Sequence, residues 1–431
     1  MRRTIRSVRP LAAWATIAVI ATIAGGAIVL TSACQRTMPS PADLVRIDPP
    51  ALPGALGASF STVAGSPLLS WLEPAPGMAG QEPDRQRFRL RVSRFDASSW
   101  SPPVTVTEGE DLLANWADFP AVASNGPTAV AHWLVKDGTE GEAYSPALAG
   151  SGDGGATWRP LGSLPADATR AEHGFVSWLP ERAPGAGLRA FWLDGRGMPD
   201  GGPMTLRSAL VDPARGPSGE ELLDERVCDC CQTDAAMTAD GPVVVYRDRS
   251  PDEIRDIAIR RLTPAGWSAP ALVHSDNWHI EGCPVNGPAV AALGRRVAVA
   301  WFTGAPSPRV LLAFSDDSGS TFAPPIPVDT DKPLGRIDLA LDSKGDAIVS
   351  WLGREPGAST RSALRLQRMA PSGPSAPAIT VATTEGGRAS GFPRLLLADE
   401  GHLMIAWPEP GSPGRLRAAR VDLSRLAQAA P

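Results

Sequence analysis

Seven short apolar segments, each ending in or beside an aromatic residue, recur along the chain. They read PLLSW to Trp71, AVAHW to Trp133, LRAFW to Trp192, VVVY to Tyr246, VAVAW to Trp301, AIVSW to Trp351 and LMIAW to Trp407. Their spacing, roughly 55 residues, is that of a repeat architecture in which each unit is a small sheet that buries its faces only against its neighbours. Every unit follows one plan. An inner strand such as Phe119-Pro-Ala-Val-Ala or Arg336-Ile-Asp-Leu-Ala leads through a turn to the aromatic-tipped strand. A third strand follows, such as Arg89-Leu-Arg-Val-Ser or Val310-Leu-Leu-Ala-Phe, and then a last strand after a proline, as in Pro103-Val-Thr-Val. Alternating and β-branched residues mark these segments as strands.

The units fall near 60–108, 119–164, 174–224, 233–274, 286–328, 337–383 and 391–422. This pattern predicts an all-β fold, a β-propeller of four-stranded blades. Seven blades are favoured; six is left open because the third unit carries an irregular loop at 179–187. The seventh unit stops after its third strand. Leu44-Val-Arg-Ile-Asp48 is expected to supply the missing outer strand, closing the ring and removing exposed sheet edges. Gly 43 and Pro 44 suit many tight turns and disfavour long helices. A net charge of −5 without basic clusters argues against nucleic acid as a partner.

The first residues read as a targeting segment. Arg2, Arg3, Arg6 and Arg9 precede an apolar run from Ala12 to Leu30, and Thr31-Ser32-Ala33 lead to Cys34. Leu30-Thr-Ser-Ala-Cys34 resembles a bacterial lipoprotein box, which implies cleavage before Cys34 and lipid on its sulfur. An uncleaved anchor helix is the alternative; both export the rest. Gln35 is not the aspartate that resembles an inner-membrane retention signal, so the expected place is the cell envelope, at the outer membrane or periplasmic face. The chain therefore divides into a lipoprotein signal peptide (1–33), a linker with the ring-closing strand (34–56), the propeller (57–424) and a tail (425–431).

Ser151-Gly-Asp153-Gly-Gly155-Ala-Thr157-Trp158 and Ser315-Asp-Asp317-Ser-Gly319-Ser-Thr321-Phe322 both fit S-x-D-x-G-x-T-[WF], at the same place in their units. Ser93-Arg-Phe-Asp-Ala-Ser-Ser-Trp100 looks like a decayed copy. These segments resemble the Asp-box, or bacterial neuraminidase repeat, of sialidase-like propellers. The resemblance covers nearly the whole mature chain for fold and implies a structural role for Asp153 and Asp317 in tight hairpins away from the ligand face. An active sialidase implies three arginines on a substrate carboxylate, a Tyr nucleophile paired with Glu, and an Asp acid/base. That set is not carried over. Ser59-Phe-Ser-Thr replaces the family's early Arg-Ile-Pro, and only Tyr144 and Tyr246 exist. Tyr246 fills the aromatic slot of a buried strand, and Tyr144 is expected beside the outer hairpin of unit two.

Propeller ligands meet the ring where the inner strands begin, about fifteen residues before each repeated aromatic. Asp118, His173, Asp234, Asn286, Arg336, Asp338 and Arg394 stand there and predict a polar pocket at the channel mouth. A solvated mouth closed by its own salt bridges is the competing reading. Arg247, Asp248 and Arg255, in a mixed-charge loop of unit four, are further candidates for a carboxylated or hydroxylated ligand. Trp116 and Trp178 lie outside the repeated slot and are candidates for stacking on a sugar. Cys228, Cys230, Cys231 and Cys283 precede the inner strands of neighbouring units. In an oxidising compartment they read first as two disulfides of open pairing, with no metal and no other cofactor. The rival is a thiolate metal site with His279, for which soft ligands favour copper.

The resulting expectation is an exported, lipid-anchored monomer that binds a carbohydrate or peptide at the channel mouth and meets the membrane through its anchor. One alternative is an exo-α-sialidase-type glycoside hydrolase, so enzymatic activity is an open question. The other is a scaffold or assembly factor of the cell envelope.

Overall fold

A computed structural model describes residues 44–76, 87–137, 143–165, 169–355 and 361–426. The segment expected to be a signal peptide, Cys34, the linker up to residue 43 and tail residues 427–431 lie outside them. Among the described residues no helix is long and apolar enough to cross a membrane.

The strands form seven antiparallel sheets, each with four principal strands paired in chain order. The innermost strands are Leu56–Val63, Ala121–Asn125, His173–Pro180, Asp234–Met237, Ala289–Leu293, Gly335–Leu341 and Arg394–Leu397, and they open blades 1 to 7 in that order. The third unit is a complete blade: His173–Pro180, Leu188–Asp194, Thr205–Asp212 and Gly216–Asp224 pair in sequence. The protein is therefore a seven-bladed propeller, and the six-blade count is set aside. Blade 7 takes its fourth strand from the start of the described chain. Leu44–Arg46 pairs with Arg415–Asp422, with Val45 opposite Arg420. Arg417 fastens the same seam with an ion pair to Asp48 at 2.8 Å.

The core lies in seven apolar clusters, one at each junction between neighbouring blades. The junction between blades 7 and 1 is among them: Leu69 and Trp71 pack on Ala406, Leu416 and Ala418. The repeated aromatics fill these junctions and are almost wholly buried. A buried indole or phenol keeps a polar hydrogen that needs a partner, and carboxylates supply it. Trp71 donates to Glu73 at 2.9 Å, Trp192 to Asp194 at 2.9 Å, Trp301 to Asp276 at 2.6 Å, Trp351 to Asp329 at 2.6 Å and Tyr246 to Asp224 at 2.6 Å.

The two S-x-D-x-G-x-T segments form the hairpins between third and fourth strands of blades 2 and 5. Asp153 accepts from the Thr157 amide at 2.9 Å and hydroxyl at 2.6 Å, and Asp317 accepts from the same two groups of Thr321 at 2.9 and 2.6 Å. Gly155 and Gly319 take φ of 89° and 79°, which a side chain resists. Thr157 and Ser151 hold the Asp153 carboxyl down to about 2. Against desolvation, Thr321 and Ser315 together bring the Asp317 carboxyl down to about 2 as well.

A carboxyl depressed by folding stabilises above its unfolded pKa and ceases to do so as pH falls through the folded value. The Asp153→Ala/Asp317→Ala double variant should therefore be less stable than the parent at pH 6, with the difference shrinking between about pH 4 and pH 2. Urea titrations across that range measure it. A chain starting at residue 49 leaves Arg415–Asp422 as a bare edge, and its thermal midpoint should fall, with aggregation above it.

Candidate functional site

A four-stranded antiparallel blade returns the chain to the end from which it entered, so the connections between blades all lie at one end of the ring. The candidate residues counted back from the aromatics gather there. Most of their polar atoms fasten one blade to the next. Asp234 accepts from Ala235 N at 2.9 Å and from Val290 N of blade 5 at 2.7 Å. Asp338 accepts from Leu339 N at 3.0 Å and from Leu395 N of blade 7 at 2.7 Å. Asn286 accepts from Arg336 N at 2.8 Å and donates to Leu334 O at 3.2 Å. His173 is buried between Thr169 O, 3.2 Å away, and Asp194, 3.4 Å away. Burial raises Asp234 to about 7 and raises Asp338 too.

Contacts between non-adjacent blades must cross the axis, and they show how the mouth is closed. Gln232, entering blade 4, donates to Ala117 O, entering blade 2, at 2.6 Å and accepts from Gly287 N at 3.1 Å. Phe392, entering blade 7, stacks on Trp116 at 6.0 Å and leans on Phe119 at 5.8 Å. Phe175 belongs to the same apolar cluster. An aromatic plug thus stands at the mouth, because Trp116, Phe119 and Phe392, just before the inner strands of blades 2 and 7, are large and apolar. Within the ring, the inner strands line an open pocket of about 310 Å³, and of the expected polar residues Asp234, Asp338 and Arg394 stand in its wall beside Trp178.

Two arginines bracket the plug. Arg394 lies over Phe119 at 4.6 Å and 3.9 Å from Asp338. Arg336 lies over Trp116 at 4.9 Å and Phe392 at 5.8 Å, and donates to Gly391 O at 3.2 Å. Arg336 is 8% exposed, and among the described residues no carboxylate comes within ion-pair distance of it. Burial alone brings its guanidinium down to about 10. The exposed Arg388 approaches the Trp116 ring at 5.8 Å, also without a carboxylate partner among the described residues.

A β-bulge between Gly335 and Asp338 aims Arg336. Arg336 takes φ of 55° there, and Gly57 and Phe175 take 63° and 53° at the equivalent bulges of blades 1 and 3. Left-handed backbone at a bulky residue costs about 1–3 kcal/mol and persists where the surroundings impose it.

Tyr144 is not beside the outer hairpin, as expected, but at the other end of its strand, entering it from the ligand-facing side. Its hydroxyl donates to Glu172 at 2.9 Å and approaches Asp118 at 3.1 Å. Burial, then Asp118 and Glu172, push the phenol far above its ordinary value, while burial raises Asp118 to about 7. This phenol is 5% exposed and held protonated.

Arg247, Asp248 and Arg255 stand apart from the plug, beside the cysteines. Arg247 is buried and hydrogen-bonds the carbonyls of Asn286, Arg255 and Phe302 at 2.6–3.1 Å. Arg255 pairs with Glu253 at 2.8 Å and Asp229 at 3.3 Å, and burial raises Asp248 to about 6. The four cysteines converge, but no disulfide joins them. Gln232, Glu172, Arg388 and Phe392 were not singled out by the sequence; the glycine-rich run 386–391 is the one local signal for the last two.

Fold and mouth define a seven-bladed propeller whose axis is stopped by aromatics and flanked by arginines. No protein-family model and no curated relative matches the chain. Solved structures do. A lectin from Burkholderia pseudomallei is similar with a TM-score of 0.54 at 13% identity, over 86% of this chain and 96% of that one. An α-L-arabinofuranosidase from Fusarium graminearum, in complex with an iminosugar inhibitor, is similar with a TM-score of 0.50 at 13% identity, over 90% and 99%. A sialidase from Streptococcus pneumoniae aligns with a TM-score of 0.44 at 9% identity, over 90% and 72%. At these identities the likeness is one of fold.

Asp118 and Asp234 bind more protons folded than unfolded between their ordinary pKa and about 7, so stability should decline as pH rises through that interval. The decline in urea midpoint from pH 4 to pH 7 should be shallower in Asp118→Asn than in the parent.

Proposed function

We propose that this protein binds a carbohydrate bearing a carboxylate at the plugged mouth, with Trp116 as the stacking platform and Arg336 and Arg388 as the anion-binding pair. The observation that carries this reading is Arg336: a buried guanidinium, turned inward by a strained bulge, with aromatic faces and one carbonyl but, among the described residues, no carboxylate around it. An arginine so placed gains most from a planar anion, which it can grip bidentately. The half-buried Trp116 ring offers the apolar face that sugar rings stack upon. The lectin and the arabinofuranosidase of similar fold make a sugar ligand the natural choice over a peptide.

Binding is favoured over hydrolysis on chemical grounds. Hydrolysis of sialidase type needs a nucleophile whose proton a neighbouring base can take, and a second carboxyl free to act on the leaving group. Tyr144 has Glu172 and Asp118 beside its hydroxyl but is buried away from the mouth's surface, and both oxygens of Asp234 and of Asp338 accept backbone N–H groups. The leader sequence supports export, with a lipid on Cys34 holding the monomeric propeller to the cell envelope.

Calorimetric titration with a uronic-acid oligosaccharide and with its methyl ester tests this reading. The acid should bind and the ester bind at least about tenfold more weakly, since a charge-assisted contact is worth about 1.5–3 kcal/mol. Arg336→Gly should abolish the preference and Trp116→Ala should weaken acid and ester alike, while Arg336→Gly, which relieves the left-handed backbone, should leave the thermal midpoint unchanged or raised. Equal binding of acid and ester contradicts the anion-binding role, and turnover of a sialoside contradicts the choice of binder over hydrolase.

A further inference from the structure

The connection entering blade 4 meets the connection entering blade 5 around four cysteines. The Cys228 sulfur lies 3.3 Å from that of Cys231 and 3.9 Å from that of Cys230. All three sulfurs fall within 4.8 Å of one another. Cys283 comes into the same range of Cys230 and Asp229 but not of the whole trio. Cys228 and Cys231 are buried, Cys230 is half-buried and Cys283 is exposed. His279, the further ligand named in the rival metal reading, is exposed and joins neither group.

Charge separates the two chemistries open to such a cluster. Arg247 is 2% exposed, and its hydrogen bonds go only to neutral backbone carbonyls. Among the described residues no carboxylate lies within ion-pair distance of it. The face of Trp278 at 4.9 Å offsets part of its charge. Arg255, 3% exposed, directs one NH2 group at the Cys228 sulfur from 3.3 Å. A buried cation without a counter-charge is costly. Two disulfides are neutral and would leave Arg247 in that state. Arg255 already pairs with Glu253 and Asp229; three thiolates around a monovalent cation carry a net negative charge and supply the counter-charge for Arg247.

We propose that Cys228, Cys230 and Cys231 form a three-thiolate site for one soft monovalent metal ion, Cu(I). Soft sulfur ligands select Cu(I) or zinc, and zinc structural sites take four ligands in a tetrahedron, one more than the trio supplies. Binding releases the thiol protons and joins three points of one connection at the edge of the plug, against which Cys230 packs. Arg255 is a positioning residue that holds the Cys228 sulfur.

The test is titration of the full chain, reduced and kept from air, with Cu(I) against a Cu(I)-selective chelator. One equivalent should be retained, with a sulfur-to-copper charge-transfer band in the near ultraviolet. Cys230→Ser, whose residue is only half-buried and whose fold circular dichroism can verify, should lose both. Cys283→Ser should keep both, and Arg255→Met should weaken binding by about 10–100-fold, the cost of an outer-shell partner. No copper retained by the parent chain would overturn the proposal. So would retention of zinc in preference to copper, or a Cys283→Ser variant as impaired as Cys230→Ser. A Cys228–Cys231 disulfide found by mass spectrometry in chains folded with copper supplied would overturn it as well.

Discussion

The pairing of Leu44–Arg46 with Arg415–Asp422 is the constraint on which the rest depends. Each blade is too thin to bury both faces, so its stability comes from two junctions. An open ring would leave one junction half-made and one strand edge bare. With the seam closed, Trp71 of blade 1 packs on Ala406 and Leu416 of blade 7, and every blade has two neighbours. Closure also fixes a common axis, and only a common axis brings Arg336 and Phe392 to Trp116, and Gln232 to Ala117, from separate blades.

That axis explains why the polar residues at the inner-strand starts do structural work. Seven converging strands offer backbone N–H groups that neighbouring ladders cannot reach, and buried donors need acceptors. Asp234, Asp338 and Asn286 supply them across three blade boundaries. Arg336 is the exception, strained in its backbone and without a carboxylate partner among the described residues. A buried charge in a left-handed conformation does not stabilise a fold, and strain of this kind gathers at binding sites.

The blade plan was legible because burial repeats: a Trp or Tyr at one slot and alternating apolar residues before it survive any loop variation. The hairpin chemistry of Asp153 and Asp317 was legible for the same local reason. The mouth was not. Whether Asp234 faces a ligand or the amide of Val290 depends on a contact between residues 56 positions apart. The plug depends on Trp116 meeting Phe392, from opposite ends of the chain. Tyr144 was misplaced because the start and end of one strand lie on opposite faces of the ring, and sequence spacing alone did not say which end it occupied. The cysteines were located correctly as neighbours, but the charge of Arg247 beside them shows only in three dimensions.

The proposed binding surface is the mouth of the ring itself, plugged by aromatics. Hydrogen exchange with and without a uronic-acid oligosaccharide tests it most directly. Protection confined to peptides spanning 113–119 and 386–394 is the predicted result. Unchanged exchange there, with protection at the blade rims or none anywhere, would contradict it.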